Sequence, residues 1–497
     1  MLFTTVVFAC AYLPIVLWGF FCIGRLSPSF AAVWLFLASV FFYSYWMPEF
    51  TLLLLTSICA NYFFGAKIAA LANDGLKAGK LRAKRWLIAG VSLNLVTLGY
   101  FKYVNFFVDN LNVMLGFDWQ FGRVILPIGI SFFTFTQIAF LADTWQKGVK
   151  EYKFVHYGLF VTYFPHLIAG PVLHHAQMMP QFRAASTYRF DSANFVAGLT
   201  IFALGLIKKI VLADGVAAYA DPVFLAADAG VSPDFYESWL AACAYTFQLY
   251  FDFSGYSDMA IGLSWMLNVR LPFNFDSPYK ATNISDFWRR WHMTLSQFLR
   301  DYLYISLGGN RQGTFRRYSN LMTTMVLGGL WHGASWSFVA WGFLHGLYLV
   351  INHGYNALIG TATQARLADS SAYRFVAWML TILLVIVAWV VFRAETLSGA
   401  ARILASMGRP VFEPQIHVLM WNAGLQLSSG AIWCATLAAI AFLAPNSNRI
   451  GEWLLRVCHT QSLSRALIGG ASLAAITFLL VLNLTRDSVS AFIYFNF

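Results

Sequence analysis

Two histidines stand inside one of the most apolar stretches of the chain, GGLWHGASWSFVAWGFLHG at residues 328–346, with His332 near its start and His345 near its end. An imidazole in such surroundings either bonds a neighbour and packs quietly or serves a site, because ionisable groups inside membranes collect at ligand and proton pathways. Gly328, Gly329 and Gly333 remove side chains around His332. That permits close approach of a ligand or of another backbone, and the competing reading is tight helix packing. On one helix the spacing from His332 to His345 is a turn of about 220°, so the two share no face and are not a metal pair of the i, i+4 kind. His345 then falls on the Trp331 side, as a structural or supporting group. The chain carries neither HExxH nor GxSxG, the signatures of a zinc protease and of a serine elbow.

Asp252 and Asp258 interrupt a second apolar run, YTFQLYFDFSGYSDMAIG at 245–262. Carboxylates there are costly unless paired, protonated or facing a wet cavity. On a helix they lie about 240° apart, so a shared proton requires Gly255 to break the segment. A structural role, bonding helix ends or the Arg block at 289–317, competes evenly with a catalytic one. The third candidate, NISDFWRRWHMTLSQFLRDYLYISLGG at 283–309, has a different pattern. Trp288, Trp291, Leu295, Phe298, Leu299 and Tyr302 fall within about a third of a helix circumference, with Arg290, Gln297 and Asp301 opposite. This predicts one amphipathic helix, capped at Ser285 or Asp286 and stopped by Gly308 and Gly309. His292 lies at its seam beside Ser296 and Arg289, facing a protein-lined, partly hydrated space.

The elements that must hold these groups belong to a membrane. The 497 residues are 59% hydrophobic and 11% charged, against about a quarter charged in soluble domains. Apolar runs of spanning length recur from 1–23 to 466–483, among them 154–173, 238–268 and 320–352, and predict roughly ten to thirteen membrane segments, 154–173 being a re-entrant candidate. The first run has no basic leader and no cleavage site, and reads as a retained helix. The six cysteines have neither CxxC nor zinc spacing, so disulfides and cysteine-held metals are not expected. The net charge of +11 concentrates in linkers such as KAGKLRAKR at 77–85, which positive-inside logic places in the cytoplasm. It reads as topology, or as attraction for an anionic cytosolic ligand. No stacking platform or soluble basic module accompanies it, so nucleic acid is not an expected partner. The fold class is an all-α polytopic membrane protein in a single integral domain, 1–497, with its motif core at about 245–346 and further membrane helices over 353–497. No internal duplication is apparent, which weighs against a transporter built from repeats.

FWRRWHMTLSQFLRDYLYISLGGNR at 287–311, LGGLWHGASWSFVAWGFLHG at 327–346 and QLYFDFSGYSDMAIG at 248–262 resemble the membrane-bound O-acyltransferase (MBOAT) family, in its bacterial alginate O-acetyltransferase-like branch. GYFKYVNFF at 99–107, LPIGISFFTFTQIAFLAD at 126–143 and HLIAGPVLHH at 166–175 fit the same group. The resemblance implies a helical bundle around a funnel or tunnel, with short tilted inner helices that bring His292 and His332 together. It implies that His332, in the WHG position, is catalytic, accepting the proton of an attacking hydroxyl or carrier group while an activated thioester delivers its acyl group. His292 would orient the donor, bond the developing oxyanion or share the proton transfer; an acyl-histidine relay stays open. Supporting or substrate-binding roles are expected of Asp252, Asp258, Ser296, Arg289, Trp331, His345 and Asn310.

The implied activity takes acetyl from a cytosolic donor, acetyl-CoA, with no permanently bound cofactor and no metal, and passes it across the bacterial inner membrane to an exported polysaccharide such as alginate. A periplasmic polysaccharide acetyltransferase or another polymer-modification protein is the expected partner, beside membrane lipid. Rival readings are the same chemistry on peptidoglycan, cellulose or another surface polymer, or D-alanyl transfer. A proton-coupled transporter using Asp252, Asp258, His292 and His332, and a secretion scaffold, stand further off.

Overall fold

The computed structural model describes residues 1–72, 77–119, 122–151, 153–168, 170–410, 417–485 and 492–493. Every regular element among them is helical, and the protein is an all-α polytopic membrane protein. Six of these helices are long and apolar enough to cross a membrane, or seven when the pair Leu427–Leu443 and Ser447–Thr460, bent by 58°, counts as one span. Part of the larger expected number reflects apolar runs that are not single helices. The run 154–173 breaks at Tyr163 between Phe154–Thr162 and Phe164–Leu167, and 320–352 breaks between His332 and Trp336.

The chain forms two compact units interleaved in sequence, the first from Met1–Leu206, Tyr256–Phe273 and Arg449–Ala491, the second from Ile207–Gly255, Asn274–Asn448 and Phe492–Phe497. In the first unit local signals set the N-terminal helices. Ser27 accepts the Phe30 N–H and Pro28 opens the helix Pro28–Trp46, where a missing N–H costs nothing. Spans Pro48–Ala72 and Lys77–Leu98 are joined by a buried, reciprocal amide pair, Asn94 Nδ2 to Asn61 Oδ1 at 2.6 Å and Asn61 Nδ2 to Asn94 Oδ1 at 3.2 Å. Such polar pairs tie helices together where lipid provides no hydrophobic drive.

In the second unit the stretch 328–346 is a helical hairpin. Helix Gly313–His332 ends at His332, and Ser335, accepting the Phe338 N–H, caps helix Trp336–Asp369. The 220° separation for one continuous helix therefore does not apply. The glycines have the packing role. A Cβ on Gly329 would collide with the Phe338 carbonyl, one on Gly342 with the Met325 carbonyl, and one on Gly346 would lie 2.6 Å from the Met322 sulfur. The two arms approach backbone to backbone, as small residues allow in membranes, and the hairpin holds His332 at its turn.

Candidate functional site

The amphipathic stretch 283–309 is broken where the chemistry is expected. Asn283 caps Ile284–Arg290, its Oδ1 accepting the Asp286 N–H at 2.8 Å, where Ser285 or Asp286 is the expected cap. The chain then leaves helical geometry at Trp291, and His292 at φ +42° opens a second short helix, Met293–Phe298, followed by a wider turn over Leu299–Tyr304. The single predicted helix is thus wrong, since hydrophobic periodicity continues smoothly through a break that turns on one backbone angle. A positive φ outside glycine is sparsely populated and collects at functional sites.

What holds the break is the irregular segment 274–276. Asp276 N–H donates to the Arg290 carbonyl at 2.9 Å, and Met293 N–H to the Asn274 carbonyl at 2.9 Å. The Asn274 side chain finishes the work. Its Oδ1 accepts from Thr294 Oγ1 at 3.0 Å and Thr294 N–H at 3.4 Å, and lies 3.0 Å from His292 Nδ1. A backbone N–H only donates, so this Asn274 atom is the acceptor and His292 Nδ1 carries the proton. His292 Nε2 is left with a lone pair, fully buried and without a partner among the described residues.

The structure gathers the histidines around two tryptophans. Trp331 lies 6.2 Å from His292 and 5.0 Å from His332 between ring centroids, so those imidazoles are no further apart than these two distances laid end to end. Trp341 is edge-on to His332 at 5.1 Å and lies 4.8 Å from His345. Phe392 closes another side of His332 at 5.3 Å, and Phe253 stands edge-on to His292 at 4.7 Å. His332 is 3% exposed. His345 Nδ1 receives the Trp288 indole N–H at 3.2 Å, a contact between residues far apart in sequence. Trp336, in the same apolar stretch, is exposed.

The remaining candidates scatter. Asp252 and Asp258 share one unbroken helix, Phe235–Met266, and Gly255 does not interrupt it. Asp252 is buried and pairs with Lys209 Nζ at 2.5 Å, while its other oxygen accepts the Ile493 N–H at 2.9 Å. Lys209 also binds Asp214 at 2.9 Å. The partner is this lysine and not the Arg block, and the signal for it was present in charges inside the apolar run IKKIVLAD. Asp258 is buried in the first unit. Ser296 sits one turn from His292, its N–H on the His292 carbonyl at 3.0 Å. Arg289 and Asn310 are exposed. No group of three metal-binding side chains occurs among the described residues.

A second histidine cluster, unforeseen from sequence, lies in the first unit. Glu151 binds Arg183 at 2.7 Å and the Lys153 N–H at 3.1 Å, with His175 Nε2 at 3.6 Å and His156 Nδ1 at 3.9 Å. Burial pushes its carboxyl up, but the contacts from His175, the Lys153 N–H and Arg183 outweigh that and hold it at about 2.

Comparisons with known proteins identify the family. The sequence pattern of the membrane-bound O-acyltransferase family covers residues 130–392. The chain is similar to the peptidoglycan O-acetyltransferase of Helicobacter pylori, 42% identical over 82% of this chain and 80% of that protein. It is similar to the probable alginate O-acetylase AlgI of Pseudomonas putida, 40% identical over the full length of both. A more distant likeness, 29% identical over 45% of this chain and 56% of the other, is to the teichoic acid D-alanyltransferase of Streptococcus thermophilus. With over half of its length inside the family pattern and a full-length relative at 40% identity, the chain belongs to the membrane-bound O-acyltransferase family and is an O-acyltransferase.

Proposed function

We propose that this protein takes an acetyl group from cytosolic acetyl-CoA and passes it across the bacterial inner membrane for O-acetylation of an exported polysaccharide. Alginate is the first candidate acceptor, because likeness to the Pseudomonas putida protein named for alginate runs the full length of both chains. Peptidoglycan is the second, on the likeness to the Helicobacter pylori protein. Polymers outside the cytoplasm have no acetyl-CoA beside them, so a membrane-spanning enzyme brings donor and acceptor within reach of one site. A periplasmic acetyltransferase completes the transfer to the polymer.

The observation that carries this reading is the pair of buried imidazoles against Trp331. His332 accepts the proton of the attacking hydroxyl as its oxygen bonds the thioester carbonyl carbon; the carbon–sulfur bond then breaks, and the proton passes to the departing thiolate. His292, its Nδ1–H committed to Asn274, offers Nε2 as an acceptor. A neutral His292 in this tautomer does not donate to an oxyanion. It orients a hydroxyl or shares its proton.

The test is the acetyl-ester content of secreted polysaccharide from a deletion strain complemented with wild type or with His332→Ala at equal membrane abundance. Loss of esters with polymer still exported supports the reading. Unchanged esters remove His332 from catalysis on that polymer and direct the same assay to peptidoglycan.

A further inference from the structure

Three N–H donors without an acceptor among the described residues lie buried in one aromatic group, which reaches the His332 ring through Trp341. The Trp288 indole can only donate, so its bond to His345 Nδ1 at 3.2 Å places the His345 proton on Nε2. That Nε2 is unpartnered, and so are the indole nitrogens of Trp341 and Trp389. The side chains are 0%, 1% and 1% exposed. Trp341 joins them into one group, 4.8 Å from His345, stacked on Trp389 at 5.8 Å and edge-on to His332 at 5.1 Å. Buried polar atoms are nearly always paired, and a cluster left unpaired calls for an explanation. This one is all donors, set in an aromatic wall against the candidate base. Its natural complement is an oxygen that gains negative charge, and donors fixed in a dry site act most strongly on charge that develops during reaction.

We infer that His345 Nε2–H, with the indole N–H groups of Trp341 and Trp389, binds the acyl carbonyl oxygen during transfer at His332, a role that rests on the acyl-transfer reading above. As the acceptor oxygen bonds the carbonyl carbon, the π pair moves onto the carbonyl oxygen and these donors hold it. The pair returns as the carbon–sulfur bond breaks, and the thiolate leaves with that bond's electrons and takes the proton held by His332. Labour divides by tautomer, with His292 presenting a lone pair and His345 a proton. Trp288 is a positioning residue, acting by fixing the His345 tautomer.

The test uses the full-length protein in lipid nanodiscs with S-acetonyl-CoA, a ketone that replaces the thioester, carrying a 13C-labelled carbonyl read by infrared difference spectroscopy. The wild type is expected to lower the carbonyl stretch of the bound ketone. His345→Phe should abolish that shift and reduce kcat about 100-fold, with KM changed less than about threefold. His345→Gln, which keeps an amide donor, should restore part of both. An unaltered stretch in His345→Phe, or an unaltered kcat, overturns the inference. So does activity lost equally in both variants while the stretch stays at its wild-type position, the mark of a structural role. Thiol release from acetyl-CoA by the wild type separately tests the underlying reading; its absence removes both.

Discussion

Two buried histidine clusters differ in what surrounds them. In the first unit, His156 and His175 face Glu151, whose oxygens are already engaged by Arg183 and the Lys153 N–H. In the second unit, His292, His332 and His345 are walled by tryptophan and phenylalanine, with His292 bonded to the Asn274 amide and His345 to the Trp288 indole. A carboxylate surrounded by donors ties elements together. An imidazole that bonds an amide or an indole through one nitrogen, inside an apolar wall, has a second nitrogen that can accept or donate. The contrast explains why imidazoles persist in so apolar a region, and it separates a fastening cluster from a reacting one.

Outside His332 itself, the largest effect should follow from removing the lone pair that His292 presents at the break while keeping its backbone. Asparagine tolerates positive φ, so His292→Asn should preserve folding yet lower thiol release from acetyl-CoA by about 100- to 1000-fold. His175→Asn in the other cluster should leave the rate per folded molecule within about twofold. A strong loss in His175→Asn would dissolve the distinction.

A smaller loss is expected from Asn274→Leu, which removes the acceptor that fixes the His292 tautomer. Leaving a buried polar group unpaired costs about 1–3 kcal/mol, on the order of 10- to 100-fold in rate, and the pH optimum should move as His292 loses its oriented bond. Unchanged rate and pH profile would show that Asn274 only shapes the backbone.

Glu151→Gln should alter stability and not rate. The loss of hydrogen bonds to a charged group is worth about 1–3 kcal/mol, measurable as a lower thermal midpoint in detergent. The sign of its pH dependence follows from a folded value of about 2 beneath an unfolded carboxyl near 4.3. Its contribution is therefore full above the unfolded value and is lost as pH falls from about 4 towards 2. Glu151→Gln should flatten that part of the acid unfolding curve. The smallest effects belong to the exposed candidates: Arg289→Ala and Asn310→Ala should each change the rate by less than about twofold.

Residue type revealed more of this site than spacing did. An imidazole in an apolar stretch is conspicuous in any reading, and His332 and His292 needed no structure to be singled out. Periodicity misled where backbone angle decided. Nothing in RRWHMT marks a positive φ, because no glycine or proline signals it, and the bonds that hold the break come from Asn274, in a separate segment. The glycines of 328–346 were visible, but their occupant was not: the facing carbonyls of Phe338 and Met325 come from the other arm of a hairpin that one helical wheel does not represent. Asn283 was a missed cap that its spacing to Asp286 could have revealed. The Trp288–His345 bond depends on tertiary packing alone.

The most direct measurement of the central claim is transfer of radiolabelled acetyl from acetyl-CoA by purified protein in nanodiscs, supplied with its periplasmic acetyltransferase partner and an oligosaccharide acceptor. Wild type should move label onto the acceptor, and an equal amount of folded His332→Ala should move none above background. Undiminished labelling by His332→Ala would contradict the assignment of acyl transfer to the imidazoles gathered around Trp331 and Trp341.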